Sequence, residues 1–327
     1  MAKGMFTQGV GLLTDGQTTI EDLKSALEQH GYAIVKEMPA QDNLSLGGPA
    51  LVVGFLPDVN GYASVDVVNQ PWPDGMGDPK SDPNTFAAWS MGFFGPLAFP
   101  GSLARAKEHA WSWQAARTVS DRHQGFVRVR LSYAFGASAN LTVFPKDYDP
   151  LGEMMFLSRL AVALLAAPGV LCYFNPNGEV LRDLPGFRKL WDACNEQGQI
   201  PMPLWMNIRF YNLSARLGFM DTVGNGQLEA KDIEAIFPKD KYNPVDIDVY
   251  LRNVTHYLLD FDGELKTGEA IDGPGENGLS WTVDVLDAGV VEPPRRVIRL
   301  YPNADCDAVC EALGRTERPS PSPESSN

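Results

Sequence analysis

Residues 50–68, ALVVGFLPDVNGYASVDVV, decide the fold. An apolar run from Ala50 to Leu56 leads into the turn-forming Pro57-Asp-Val-Asn-Gly61. An alternating run from Tyr62 to Val68 follows. Two strand-like runs joined by a short Pro/Asn/Gly segment read as a β-hairpin, and hairpins build antiparallel sheet. Upstream, residues 5–13 (MFTQGVGLL) read as a first strand. Thr18 and Glu21 have capping-box spacing, and Ile20, Leu23 and Leu27 recur at helical spacing until Gly31 stops the helix. Tyr32 to Glu37 reads as another strand. The order β-α-β-β-β predicts a helix packed on a largely antiparallel sheet.

Downstream, residues 126–133 (FVRVRLSY) alternate strictly. Val127, Val129, Leu131 and Tyr133 face one way and Arg128 and Arg130 the other, the pattern of a half-buried strand. Leu103 to Trp113 reads as a helix. Leu151 to Ala167 is apolar almost all round and so reads as a buried helix, with Asp149 as N-cap and Pro150 in the first turn. Strands are predicted at Val170–Phe174, Trp205–Leu213, Gly218–Val223 and Val297–Tyr301. Helices are predicted at Leu184–Asn195, at Ile233–Phe237 and on the Ile247, Leu251, Val254, Leu258 stripe. The expected fold is α+β: mixed, largely antiparallel sheets with packed helices, in two similar α+β halves. The expected domains are 1–145 and 146–313, with a Pro/Ser-rich disordered tail at 314–327.

Between the hairpin and the alternating strand lies PWPDGMGDPKSDPNTFAAWSMGFFGPLAFPG, residues 71–101. It holds six Pro, five Gly and six aromatics in 31 residues. Such Pro and Gly content alone points to disorder, but the rings are too apolar to remain in water. A long, ordered, irregular loop packed by its own side chains is expected, and such loops are commonly functional. Trp72, Trp89 and Phe93 are the candidate partner-binding anchors. Asp74, Asp78 and Asp82 are candidate steering charges around them, unless they serve only to make turns.

The 327 residues carry a formal net charge of −14. Phosphate-backbone binding needs clustered Lys and Arg, so direct nucleic-acid binding is not expected. A basic protein partner is. The N-terminal residues lack the apolar core of a signal peptide, and Leu160–Ala167 is far shorter than the ~20 residues of a bilayer span. A cytoplasmic protein is expected, with Cys172, Cys194, Cys306 and Cys310 reduced and no membrane partner.

Catalytic signatures are sparse. No G-x-S-x-G, P-loop, dinucleotide fingerprint or H-E-x-x-H occurs. His123, after Asp121 and Arg122, is the best lone candidate for acid–base work. Asp221-Thr-Val-Gly-Asn-Gly226 with Asp232 partly matches a calcium loop. Val223 replaces an oxygen ligand there and Asp232 is shorter than the usual Glu, so a Gly-rich strand-to-helix turn is the expected reading. Catalytic residues, cofactor and metal are all expected to be none.

Five stretches, MAKGMFTQGV, GYASVDVVNQPWPDGMGDPK, FAAWSMGFFGPLAFPGSLARA, VLCYFNPNGEVL and FMDTVGNGQLE, together resemble a bacterial family known as domain of unknown function 4261. The resemblance runs from residue 1 to about residue 301. The family carries no established catalytic residues to transfer. The resemblance implies a setting among type VI secretion and toxin–immunity genes. The resulting expectation is a non-enzymatic immunity protein that occludes the active site of a toxin, a basic nuclease effector of a type VI secretion system. The alternatives are an effector-loading adaptor or chaperone, or an enzyme of unknown type.

Overall fold

The computed structural model describes residues 5–40, 47–134, 144–260, 264–275 and 279–314. The chain forms two compact units, Met1–Asn207 and Ile208–Asn327.

The first unit runs β1 (Gln8–Thr14), α1 (Ile20–Gln29), β2 (Ile34–Met38), β3 (Ala50–Leu56), β4 (Gly61–Val68), α2 (Pro83–Ser90), α3 (Ser102–Glu108), α4 (Ala116–Ser120), β5 (Gly125–Ser132), α5 (Pro150–Leu164), β6 (Val170–Asn175), β7 (Val180–Arg182), α6 (Leu184–Glu196) and α7 (Met202–Trp205). Among the described residues its sheet has seven strands in the order β2-β3-β4-β5-β1-β6-β7, every pair antiparallel. The hairpin forms as expected, with Asn60 left-handed at its turn. Helix α1 is capped one residue later than predicted, by a reciprocal box between Thr19 and Asp22. Asp149 caps α5 as predicted.

The boundary expected at 145/146 falls inside this sheet. Strand β6 pairs with β1, so residues 170–182 return to the first unit and the division moves to Asn207/Ile208. The tail expected to be disordered lies outside the described residues from 315 onward. Both faces of the sheet are covered. Val10, Leu12, Val127, Val129 and Leu131 are buried on one side, where α5 packs on β1 and β5 and against α1. The other side carries Val68, Phe126, Leu13, Cys172, Phe174 and Leu181, and the long segment after β4 packs over them.

The second unit runs β8 (Asn207–Asn212), β9 (Leu217–Val223), β10 (Asp232–Pro238), α8 (Pro244–Asp260), β11 (Ala270–Asp272), β12 (Ser280–Leu286), β13 (Val297–Pro302) and α9 (Cys306–Ala312). Its sheet order is β11-β12-β13-β10-β9-β8, with β10 and β13 parallel. Residues Ile233–Phe237, predicted as a helix, belong to β10. The stretch is buried along its whole length, and its one charge, Glu234, is held by Arg299 across the sheet. Helix α8 packs on β9 and β10, and α9 packs on β13.

Candidate functional site

The long segment is ordered, and its rings point inward. Trp72 is 4% exposed and makes edge-to-face contacts with Trp89, Phe94, Phe126 and Phe174 at centroid distances of 6.1, 5.0, 5.1 and 5.0 Å. Its indole lies over Gly11, where a Cβ would come within 3.7 Å of the ring. Trp89 donates its Nε1–H to the Pro73 carbonyl at 3.0 Å, and Phe93 stacks edge-on against Phe6 at 5.7 Å. Trp72, Trp89 and Phe93 are therefore core residues and not partner anchors. The sheet face beneath the rings is apolar at Leu13, Phe126, Cys172 and Phe174. The segment buries that face as a helix would elsewhere.

The three acids shape the segment. Asp74 pins its two ends together: its Oδ1 and Oδ2 accept the Leu103 and Ala104 N–H groups at 2.8 Å each, and its carbonyl accepts the Gly101 N–H at 2.5 Å. Asp78 accepts from the Ser81 and Lys80 backbone N–H groups, and those bonds hold its carboxyl below the usual range. Asp82 caps α2 through the Thr85 N–H. All three make turns or caps, and Asp78 and Asp82 remain exposed. At the far side, Gly95 (φ 136°) meets the β6–β7 turn. A Cβ there would sit 2.6 Å from Asn177 Oδ1, the atom that accepts the Leu97 N–H.

Beneath the segment lies a charge cluster. Arg128 and Arg130 alternate as the sequence predicts, yet both are buried, at 2% and 8% exposure. Asp66 on β4 takes both: Arg128 through Nε and Nη2, Arg130 through Nη2 at 3.0 Å. The Arg130 guanidinium also stacks over Phe6 at 4.4 Å and faces Phe93 at 5.7 Å.

What the segment shows to solvent is different. Trp111, between α3 and α4, is 70% exposed, and Met91 and Met76 are 53% and 37% exposed. The sequence reading places Trp111 inside a helix, but α3 ends at Glu108. The following turns hold the backbone: the Trp111 N–H donates to the His109 carbonyl at 2.9 Å and the Trp113 N–H to the Ala110 carbonyl at 3.1 Å. The Trp111 ring stands edge-on to the buried imidazole of His109.

His123 and Asp121 do not form a catalytic pair. Asp121 binds Lys107 at 2.6 Å, while His123 braces the loop through Trp72 and Ser120. The second unit holds its own buried charges. Asp221 accepts from Arg209 Nη2 and Arg295 Nη2 at 2.5 Å each, and Asp232 accepts from Arg295 Nε at 3.1 Å, Thr222 Oγ1 at 2.9 Å and the Asn225 N–H at 3.1 Å. The carboxylates that would ligate calcium thus face guanidinium groups. The stretch is a 3₁₀ turn between β9 and β10 and not a strand-to-helix turn. Burial pushes Asp232 up, with Arg295 opposing, and likewise pushes Glu234 up, with Arg299 opposing. These residues span the core of the sheet and read as structural ion pairs.

Residues 221–301 match the family described as Domain of unknown function (DUF4261). The matched stretch runs from the end of β9 into β13. It contains Asp221, Asp232, Glu234, Arg295 and Arg299, with Arg209 outside it. The resemblance seen in the sequence holds over this stretch. No curated protein and no solved structure matches the chain. Among the described residues, no helix is long and apolar enough to cross a membrane.

Proposed function

We propose that the chain is an immunity protein that works by binding a basic protein toxin and covering its active site, with the outer surface of the 71–116 segment as the contact. The observation that carries this reading is Trp111. Tryptophan is the residue most enriched at interface hot spots, and here one stands 70% exposed on a backbone fixed by the turns around it. A ring held in place pays little further entropy on binding. The net charge of −14 favours a basic partner and speeds its approach. The toxin–immunity setting implied by the sequence resemblance supplies the class of partner.

The test is co-purification from the native cell with the intact chain as bait, followed by assay of the captured protein. A basic toxin that is captured and silenced, and lost with Trp111→Ala, supports the reading. A captured effector that stays fully active points to an adaptor instead. Bait that returns alone overturns a binding role.

A further inference from the structure

Ser64 on β4 and Arg130 on β5 stand directly opposite each other, on the sheet face that the long segment covers. Both are buried, at 2% and 8% exposure. Among the described residues Arg130 has one ion-pair partner, Asp66, and shares it with Arg128, whose Nε and Nη2 both engage the same carboxylate. Arg130 Nε and Ser64 Oγ are sealed from solvent and have no hydrogen-bond partner among the described residues. Two such polar atoms on facing residues, beside a guanidinium that shares its counter-charge, are costly to bury without an acceptor. The phenyl faces of Phe6 and Phe93 offer Arg130 a weak quadrupole and not a charge.

We propose that Arg130 Nε and Ser64 Oγ hold a small monovalent anion of chloride's size. Charge sets the sign of the ligand, and the tight surroundings set its size. On the neighbouring strand Gly9 approaches the covering segment so closely that a Cβ would lie 3.3 Å from Gly95 Cα and 3.6 Å from Arg130 Cγ. Burial and the Arg128 charge push Arg130 down to about 10, the direction taken by a cation short of compensation. The anion adds the missing counter-charge and fixes the guanidinium against Phe6 and Phe93. Its occupancy thereby strengthens the seat of the long segment on the sheet. The inference rests on the β4–β5 geometry and is independent of the partner proposed above.

The experiment is calorimetric melting of the intact chain at constant ionic strength, replacing sodium gluconate stepwise by sodium chloride. The gluconate ion is too bulky for the site. The expected result is a melting temperature that rises with chloride, in proportion to the logarithm of its concentration once that exceeds the dissociation constant, as for any ligand bound only by the folded state. Ser64→Ala is expected to raise the apparent dissociation constant for chloride about fivefold, the value of one hydrogen bond. Crystals soaked in sodium bromide are expected to show an anomalous peak between Arg130 and Ser64, which tests the site without any substitution. A melting temperature indifferent to chloride overturns the proposal. So does an identical response in Ser64→Ala, or bromide found only elsewhere with water between the two side chains.

Discussion

The backbone N–H of Trp72 donates to Nε2 of His123 at 2.9 Å, and this bond fixes the state of the ring. An Nε2 that accepts carries no proton, so Nδ1 holds it and donates to the Ser120 carbonyl at 2.5 Å. The imidazole is thus neutral, and both nitrogens are spent on tying the start of the long segment to the end of α4. Burial pushes its pKa below the ordinary 6.5.

A stability profile follows from that shift. The folded state takes up the His123 proton at lower pH than the unfolded chain. The contribution is therefore complete above the unfolded value of about 6.5 and is lost as pH falls from there through the folded pKa. Melting temperatures measured across this window should decline toward acid. His123→Gln should flatten that part of the profile, because it carries no titrating group. An unchanged slope in the variant would assign the acid sensitivity to other groups.

Trp89 in the long segment and Trp111 beyond its end should separate stability from recognition. Trp89 is 6% exposed within the ring cluster, and its removal to Ala should cost about 3–5 kcal/mol in urea denaturation. Trp111→Ala, at an exposed position, should stay within about 0.5 kcal/mol of wild type. The same variant should weaken partner capture. Loss of stability in Trp111→Ala comparable to that of Trp89→Ala would show that Trp111 is structural.

Much of this fold is readable from local pattern, and what is not depends on distant residues. The hairpin at 50–68 needs only its two apolar runs and its turn. The alternation of FVRVRLSY correctly separates Val127, Val129 and Leu131 from Arg128 and Arg130. It cannot show that the arginine face is dry, because the cover comes from residues 72–103 and the counter-charge from Asp66. The same ignorance of partners makes Ile233–Phe237 look helical: Ile233 and Phe237 sit four apart, and the pairing of Glu234 with Arg299 lies 65 residues away. In the long segment the need to bury the rings is legible in the composition. That they bury against β1, β5 and β6, and leave Trp111 outside, is not.

Asp74 offers a test of how the segment is closed. Its carboxylate satisfies two N–H groups of the first turn of α3, which have no partner within the helix. Asp74→Ala should cost about 1–2 kcal/mol, in the range of lost helix caps. Amide exchange at Leu103 and Ala104 should quicken in that variant. Asp74→Asn keeps one acceptor oxygen and should lose less. Exchange at these two amides that matches wild type in Asp74→Ala would mean the closure is held elsewhere.

In the second unit, Arg295 bridges Asp221 and Asp232, both of them buried. Arg295→Met keeps much of the side-chain volume and removes the charge, leaving Asp232 without its ion-pair partner. Breaking a buried pair in this way costs about 3–5 kcal/mol. Burial already pushes Asp232 up against the opposing pull of Arg295, so the variant should raise it further. A carboxyl raised in the folded state binds its proton more readily there than in the unfolded chain. Folding is therefore relieved as pH falls toward the unfolded value of 3.8. Urea denaturation should show the variant penalised most near neutrality and partly recovered by mild acid. Adding Asp232→Asn should remove most of that recovery, since the amide does not ionise. A penalty independent of pH, in the single and double variants alike, would assign the loss to packing around Arg295 and not to the charge it neutralises.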